Sequence, residues 1–399
     1  MAWREIEAGS KGPFERSYQL DDDWGADQMK IQFAAVLLLW MSAIMPAASA
    51  QENQAAPASD ATPIDVDAVQ IPWARPDIQV SHRDRLYVAL LGSGGFCAID
   101  PAANDILGCS PSGEGGAAPQ SADPIEAHLT ATRRGDLIAT STTDLPKVAI
   151  TATATNKLIG NVLLATVPAS LAFTRDGKEL WVALPEENAV AVFETRTFAE
   201  VARVAVSAGP AAIVMSVDGR RAFVSTSDGQ GLAAIDARRK VEISRAATAG
   251  GLVKRLALTP NGKFVWAFDE AGRIEVFATK PPFKVKRSFY AAGGVRSLTF
   301  VHVGNDPFAY ISSTEEPTIG VFDADSFRKV GSVTLEAEAA GVYPSGDGTI
   351  VYASLPSARK LVRLDTGQVG VVSELALPEG PSALIYVPSI HKRRVAGAH

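Results

Sequence analysis

The sequence predicts an all-β fold in which seven four-stranded antiparallel sheets stand around one axis, and three observations lead to it. A turn motif returns about every 42 to 44 residues. Four short apolar strands accompany each return of the motif. A segment near the C-terminus, PSALIYVPS (381–389), repeats only the first strand of the unit. This pattern is typical of a seven-bladed β-propeller whose ring is closed by a C-terminal strand.

The repeated turn joins the first and second strands of each unit. Glycine at its centre adopts φ > 0 without steric cost, which a tight connection requires. The apolar residues that follow, including Trp181 and Trp266, are predicted to pack between neighbouring sheets rather than to stack on a ligand. The copies are TRRGDLIATS (132–141), TRDGKELWVA (174–183), SVDGRRAFVS (216–225), TPNGKFVWAF (259–268), VGNDPFAYIS (303–312) and SGDGTIVYAS (345–354).

A third and a fourth strand complete each unit. Third strands include AVAVFE (189–194), LAAID (232–236) and KLVRLD (360–365), and fourth strands include EVARVAV (200–206) and KVGSVTL (329–335). One more unit precedes these, and its first strand matches the repeat poorly. If this unit is misread, the ring has six or eight blades instead of seven. We expect the C-terminal segment to supply its missing inner strand, because a closed ring leaves no exposed sheet edge. The earlier unit consists of HRDRLYVALL (82–91), GFCAID (95–100) and DILGCS (105–110).

The ends of the chain have a different composition from the ring. Met29-Lys30, an apolar run from Phe33 to Met45 and Ala48-Ser49-Ala50 form the pattern of a signal peptide. The run is too short for a membrane-spanning helix, so we expect a periplasmic or secreted protein with no stable membrane span after cleavage; the alternative is a retained anchor. We divide the chain into an upstream mis-start (1–28), a signal peptide (29–50), a flexible leader (51–72), the propeller (73–389) and a basic disordered tail (390–399).

Three stretches of the repeat resemble a known family. These are TRDGKELWVAL (174–184), ENAVAVFET (187–195) and ATNKLIG (154–160). They resemble the YVTN-type β-propellers, a family of secreted proteins with WD-repeat-like architecture, over about residues 77–389. The second strands depart from the family motif, since they end in VAL, VST, AFD, ISS and ASL where the family has Thr-Asn. The resemblance implies a periplasmic or cell-surface binding protein.

Cys97 and Cys109 are the only cysteines. They lie on the third and fourth strands of the first unit, where a hairpin brings them opposite each other. In an oxidising compartment this predicts a disulfide worth about 2 to 3 kcal/mol. The alternatives are two free thiols or a metal site, although there is no C-x-x-C motif and no nearby histidine to complete a zinc set.

The candidate binding site lies at the upper mouth of the central channel, where each inner strand begins. Potential cations at these positions would attract a small anion or an acidic peptide. The competing interpretation is that they point to water or pair with loop acids such as Asp269, Glu270, Glu315 and Glu316. The candidate ligand-binding residues are His128, Lys254, Arg255 and Arg296.

The predicted function is that of a binding or scaffold module acting through the upper face. The net charge of −6, with one dense basic cluster (391–394) in the tail, does not indicate a nucleic-acid partner. No haem-attachment motif or phosphate-binding loop is present in the sequence, and we expect no cofactor or metal. The expected partner is a periplasmic protein or a small anionic ligand. The alternatives are a non-catalytic subunit of a periplasmic dehydrogenase, or a lactonase resembling the propeller-fold 6-phosphogluconolactonases, with Glu126 and His128 as weak candidates for proton transfer.

Overall fold

A computed structural model of the chain describes residues 84–91, 95–110, 127–207, 209–227, 231–248, 253–291, 293–304 and 306–388. The predicted mis-start, signal peptide, leader and basic tail lie outside these described residues, and so does Glu126. Within them the only helix is one short 3-10 turn, Pro185–Glu187. No described helix has the length and apolar character needed to cross a membrane.

Seven four-stranded antiparallel sheets make up the described chain, as predicted. Each sheet is a blade, and its strands run from the central axis outward in chain order. Blade 1 contains β1 (Arg85–Leu90), β2 (Phe96–Asp100) and β3 (Asp105–Ser110). Blades 2 to 4 contain β4 (Ala127–Ala131), β5 (Leu137–Thr142), β6 (Lys147–Ala152), β7 (Lys157–Leu163); β8 (Ser170–Phe173), β9 (Glu179–Leu184), β10 (Ala189–Glu194), β11 (Glu200–Ala205); and β12 (Pro210–Met215), β13 (Arg221–Thr226), β14 (Leu232–Asp236), β15 (Val241–Ala246).

The remaining strands continue the same order around the ring. Blades 5 to 7 contain β16 (Arg255–Leu258), β17 (Phe264–Phe268), β18 (Arg273–Ala278), β19 (Val285–Tyr290); β20 (Ser297–Val303), β21 (Asp306–Ser312), β22 (Thr318–Asp323), β23 (Lys329–Thr334); and β24 (Gly341–Pro344), β25 (Ile350–Leu355), β26 (Lys360–Asp365), β27 (Gly370–Ala376). The last strand is β28 (Pro381–Val387).

Strand β28 closes the ring. It pairs antiparallel with β1, with Arg85 opposite Val387 and Leu86 opposite Tyr386, and so becomes the inner strand of blade 1. The Tyr386 hydroxyl donates a hydrogen bond to Asp84 beside this pairing. The prediction that the C-terminus supplies the missing inner strand is therefore confirmed, and the ring has seven blades.

The repeated turn owes its shape to a hydroxyl as well as to its glycine. In blade 3, Gly177 has φ +72° and its N–H donates to the Thr174 carbonyl at 2.9 Å. The Thr174 hydroxyl donates to Asp176 at 2.8 Å and accepts the backbone N–H of Glu179 at 3.0 Å. The same hydroxyl-to-backbone bond recurs at Thr132, Ser216, Thr259 and Ser345. The turn carboxylates are thus structural groups.

A second repeated feature lies in the hairpin between the third and fourth strands. One non-glycine residue with positive φ occurs there in every blade. Two are asparagines, which tolerate this conformation, while the phenylalanines also pack. A Cβ added to Gly160 would meet the ring of Phe198, so that glycine leaves room for the neighbouring blade. The positive-φ residues are Asn104, Asn156, Phe198, Lys240, Phe283, Phe327 and Val369.

The core lies between blades rather than within them. Trp181 and Trp266 are fully buried, as predicted, and each belongs to a cluster that joins two neighbouring sheets. Trp266 packs edge-on against Phe300 of the next blade, with ring centroids 5.1 Å apart. Such aromatic pairs contribute about 0.5–1.5 kcal/mol beyond their buried area. This packing holds the inner strand β20, which carries Phe300, against blade 5.

Cys97 and Cys109 form the predicted disulfide. The two residues are directly opposite in the β2–β3 pairing, with Cα atoms 4.0 Å apart. Cys97 is buried and Cys109 lies on the exposed outer strand. The bond therefore ties the outermost strand of the ring-closing blade to its neighbour.

Candidate functional site

The channel has two distinct faces because the strands alternate in direction. The loops between blades and those between second and third strands form the upper face, and backbone hydrogen bonds join them, as from Leu91 N–H to the Gly380 carbonyl at 2.8 Å. The glycine turns and the hairpins between third and fourth strands form the lower face. Inner strands therefore begin at the upper face, where the sequence predicted the binding site.

A cavity of about 440 Å³ opens on the upper face beside the inner strands of blades 5, 6, 7 and 1. Arg255 at the start of β16 and Arg296 just before β20 both line it. The inner strands β20, β24 and β28 supply its wall, and the upper loops supply its rim. The remaining lining residues are Leu91, Ser297, Leu298, Thr299, Glu338, Ala340, Gly341, Val342, Tyr343, Pro356, Ser357, Ser382, Ala383 and Leu384.

Close packing of small residues shapes the cavity wall. A Cβ added to Gly341 would meet the Leu384 side chain and the Ser382 carbonyl at 3.0 Å, so a larger residue there would push β24 away from β28. The Ser297 hydroxyl accepts the backbone N–H of Val342 at 3.3 Å and so links blade 6 to blade 7. These contacts hold the inner strands at a fixed spacing around the cavity.

The four predicted ligand-binding residues divide into two groups. Arg255 and Arg296 line the same cavity, whereas Lys254 and His128 are not among its lining residues. Lys254 forms an ion pair with Glu270 at 3.3 Å, which is the loop pairing that the competing interpretation predicts. His128 lies on β4 of blade 2, half-buried. The other half of the lactonase pair, Glu126, lies outside the described residues.

Arg296 gives the cavity its positive charge. Among the described residues, no carboxylate lies within ion-pair distance of its guanidinium group, although its backbone N–H donates to the Ser312 carbonyl at 2.9 Å. The neighbouring walls combine the apolar side chains of Leu298, Val342 and Leu384 with hydroxyl-bearing residues such as Thr299 and Ser382. A charge beside apolar walls interacts more strongly with a bound ion than the same charge in open water does. The cavity therefore combines an anion-binding group with an apolar surface.

Tyr343 and Glu338 are lining residues that the sequence did not indicate. Tyr343 is half-buried on β24, and burial raises the pKa of its phenol, which stays protonated at neutral pH and can donate a hydrogen bond. Glu338 is exposed at the rim, where its negative charge offsets part of the positive charge of Arg255 and Arg296. The repeat places Tyr343 on an inner strand, but it carries no signal for which side of that strand faces the cavity. No group of His, Cys, Asp or Glu side chains in the described chain has the geometry of a metal site.

Comparisons with known proteins identify the architecture. No protein-family model matches the chain, and no curated protein matches it. Among solved structures, hydrazine synthase of Kuenenia stuttgartiensis superposes with a TM-score of 0.57 at 17% identity, covering 64% of this chain and 88% of that one. Dihydro-heme d1 dehydrogenase NirN in complex with DHE superposes with a TM-score of 0.58 at 14% identity, covering 79% of this chain and 77% of that one.

These likenesses concern the fold alone. Identities of 17% and 14% are too low to transfer an activity, and 1763 solved chains match this one. A fold that is shared so widely hosts many unrelated functions. The chain is a seven-bladed β-propeller, closed by its C-terminal strand.

Proposed function

We propose that this protein is a secreted or periplasmic binding module whose upper-face cavity takes a small molecule with one anionic group and an apolar body. The observation that carries the proposal is the placement of Arg255 and Arg296 in one cavity whose wall is partly apolar. The disulfide between Cys97 and Cys109 supports an oxidising compartment. The resemblance to YVTN-type propellers is part of the same proposal.

The cavity favours binding of a small ligand without catalysis over the alternative function of a lactonase. Arg296 can pair with a carboxylate or phosphate oxygen, and the Tyr343 phenol can donate to a second oxygen. Proton transfer by His128 would need the histidine beside the bound ligand, and it is not a lining residue of this cavity. The role of a dehydrogenase subunit remains a second candidate, since one structural neighbour is named as a dehydrogenase. A protein partner would use the same upper loops.

The proposal is tested with a matched series of small ligands. Hexanoate, hexanol and hexylamine share one apolar chain and differ in the charge of the head group. Binding measured by isothermal titration calorimetry is expected for hexanoate, with hexanol and hexylamine at least about 10-fold weaker, because a charge-assisted hydrogen bond contributes about 1.5–3 kcal/mol. Arg296→Gln should weaken hexanoate binding by a similar factor.

A charge removed elsewhere serves as the control. Lys157 lies on the exposed outer strand β7, away from the cavity lining. Lys157→Gln should therefore leave the affinity for hexanoate unchanged. Equal affinity for hexanoate and hexanol, or an unchanged affinity in Arg296→Gln, would show that the cavity does not select an anion.

A further inference from the structure

The lower face carries charges of both signs, separated into two arcs. Glycine turns and third-to-fourth-strand hairpins form this face, and consecutive turns contact one another, as Gly219 contacts Arg175. The turns and hairpins of blades 2 to 5 form a basic arc, with Arg133, Arg134, Arg175, Lys178, Arg196, Arg220, Arg238, Arg239, Lys240, Lys263, Lys280 and Lys284. Those of blades 6 and 7 form an acidic arc, with Asp306, Asp323, Asp325, Asp347 and Asp365.

The basic arc also contains carboxylates, namely Asp136, Asp176, Glu179, Glu194, Asp218 and Asp236, and they are outnumbered by its cations. Asp176 and Asp218 accept hydrogen bonds from their own turns, and Asp236 accepts the backbone N–H groups of its hairpin. Glu179 pairs with Lys240 at 2.8 Å. Beside them Arg238, on the exposed hairpin of blade 4, has no carboxylate within ion-pair distance in the described part of the chain, and the same holds for Arg220 and Arg239. The arc therefore presents guanidinium groups to the solvent.

The acidic arc has the opposite balance. Asp306 and Asp325 are exposed, and neither carboxylate has a side-chain partner among the residues that the structure describes. Asp323 accepts only the backbone N–H groups of its own hairpin. Two cations, Arg328 and Lys329, lie at the same end of blade 6, while the lower turn and hairpin of blade 7 carry none. Negative charge thus predominates over blades 6 and 7.

The two arcs lie on opposite sides of the ring. In a circle of seven blades, the middle of blades 2 to 5 is opposite blade 7. Consider a second copy turned by 180° about an axis that lies in the plane of the face and is perpendicular to the line joining the two arcs. Its acidic arc would lie over the first copy's basic arc, and its basic arc over the first copy's acidic arc. A twofold interface has this self-complementary form. We propose that the lower face pairs with the lower face of a second copy to form a weak, salt-sensitive dimer.

A cleft in the basic arc gives the proposal a local contact point. It has a volume of about 510 Å³ and lies between the lower turns of blades 3 and 4. Its lining includes the cations Arg175, Lys178, Arg238 and Lys240 and the carboxylates Asp176, Glu179 and Asp218, of which Asp176 pairs with Lys178 and Glu179 with Lys240. An acidic side chain from the facing copy would meet Arg175 and Arg238 there, which form no ion pair with a described residue. A uniformly anionic surface such as a lipid bilayer would instead be repelled by the acidic arc on the same face, so the charge pattern favours a partner with both signs.

Sedimentation velocity of the full chain tests the dimer. At 25 mM NaCl and about 100 µM protein we expect a measurable fraction of dimer. The association constant should fall at least 10-fold at 300 mM NaCl, because salt screens exposed ion pairs. Two charge-reversal variants, Arg238→Glu/Arg239→Glu and Asp306→Lys/Asp325→Lys, should each be monomeric. An equimolar mixture of the two should associate again, because both contacts of the mixed dimer then pair opposite charges.

The control is a charge-reversal variant on the upper face that changes two residues, as the two lower-face variants do. Glu315→Lys/Glu316→Lys should dimerise like the unmodified protein, and circular dichroism melting checks that every variant is folded. A monomer at 25 mM NaCl, a mixture that stays monomeric, or an upper-face control that loses association to the same degree would overturn the proposal. Cosedimentation of a monomer with phosphatidylglycerol vesicles would overturn it too. None of these results depends on ligand binding at the upper cavity, so the two proposals fail separately.

Discussion

At the scale of single residues, a serine or threonine before the glycine turn fixes the turn in blades 2, 3, 4, 5 and 7, and in four of these it also bonds the turn carboxylate. Burial alone would raise the pKa of Asp176, but hydrogen bonds from the Thr174 hydroxyl and the Lys178 backbone N–H outweigh it and hold that pKa below its usual value. Burial likewise opposes ionisation of Asp218, and hydrogen bonds from Ser216 and the Arg220 backbone N–H again lower the pKa. The charged form of each carboxylate therefore stabilises the fold.

The direction of these shifts predicts acid lability. The unfolded chain takes up protons near pH 3.9, the usual Asp value, before the folded turns do. The stabilisation is therefore complete above about pH 4 and is lost as pH falls through the lower folded pKa values. In urea titrations at pH 7 and pH 3, the free energy of unfolding should be lower at pH 3. Thr174→Val should reduce this difference and should also cost about 1 kcal/mol at pH 7.

Thr334→Val provides the matched control, because Thr334 is exposed on the outer strand β23. It should change neither the stability at pH 7 nor the difference between the two pH values. If both variants behave alike, the hydroxyl of the turn does not support the carboxylate.

At the scale of elements, the disulfide is the only covalent side-chain cross-link in the described chain, and it joins β2 to β3. The bond closes a short loop, with a sequence separation of 12. Loop-closure entropy predicts that Cys97→Ala/Cys109→Ala lowers the free energy of unfolding by about 3 kcal/mol. Urea denaturation measures the loss. Dithiothreitol should destabilise the unmodified protein by a similar amount and leave the double variant unchanged; a double variant as stable as the unmodified protein would contradict the assignment.

Strand pattern predicted the elements more completely than it predicted the site. β10, β14 and β26 have the predicted bounds, because alternation and turn residues are local properties of the chain. The same counting placed Arg255 and Arg296 at the upper mouth. It could not separate them from Lys254, whose pairing with Glu270 depends on a loop conformation. Tyr343 was missed because the side of an inner strand that faces a cavity depends on how neighbouring blades pack.

At the scale of the whole molecule, stability is concentrated in the inner half of each blade. Second strands such as β9 and β25 are buried along nearly their whole length, whereas fourth strands such as β7 and β19 are largely exposed. Every second strand also has a hydrogen-bonded neighbour on both sides. The fourth strands have one such neighbour, so they open more readily.

This arrangement predicts the pattern of amide hydrogen exchange. Followed by mass spectrometry at neutral pH, exchange should be slowest in the seven second strands and fastest in the fourth strands, because local opening requires less buried surface to be exposed there. In blade 1 the disulfide should slow exchange of β3 relative to the other outer strands, and reduction serves as its control. A second strand that exchanges as fast as its own fourth strand would show that the blade is not integrated into the ring.

The pairing of Val387 with Arg85 has a consequence for the topology of the backbone. In the other six blades a glycine turn connects the corresponding strands; in blade 1 that connection is the single interruption of an otherwise circular path. Each of the other turns occupies an equivalent position at the same end of the molecule. The architecture therefore does not prescribe a starting point, and a rearranged gene that joined residue 388 to residue 84 through a short linker and opened another turn would encode the same ring.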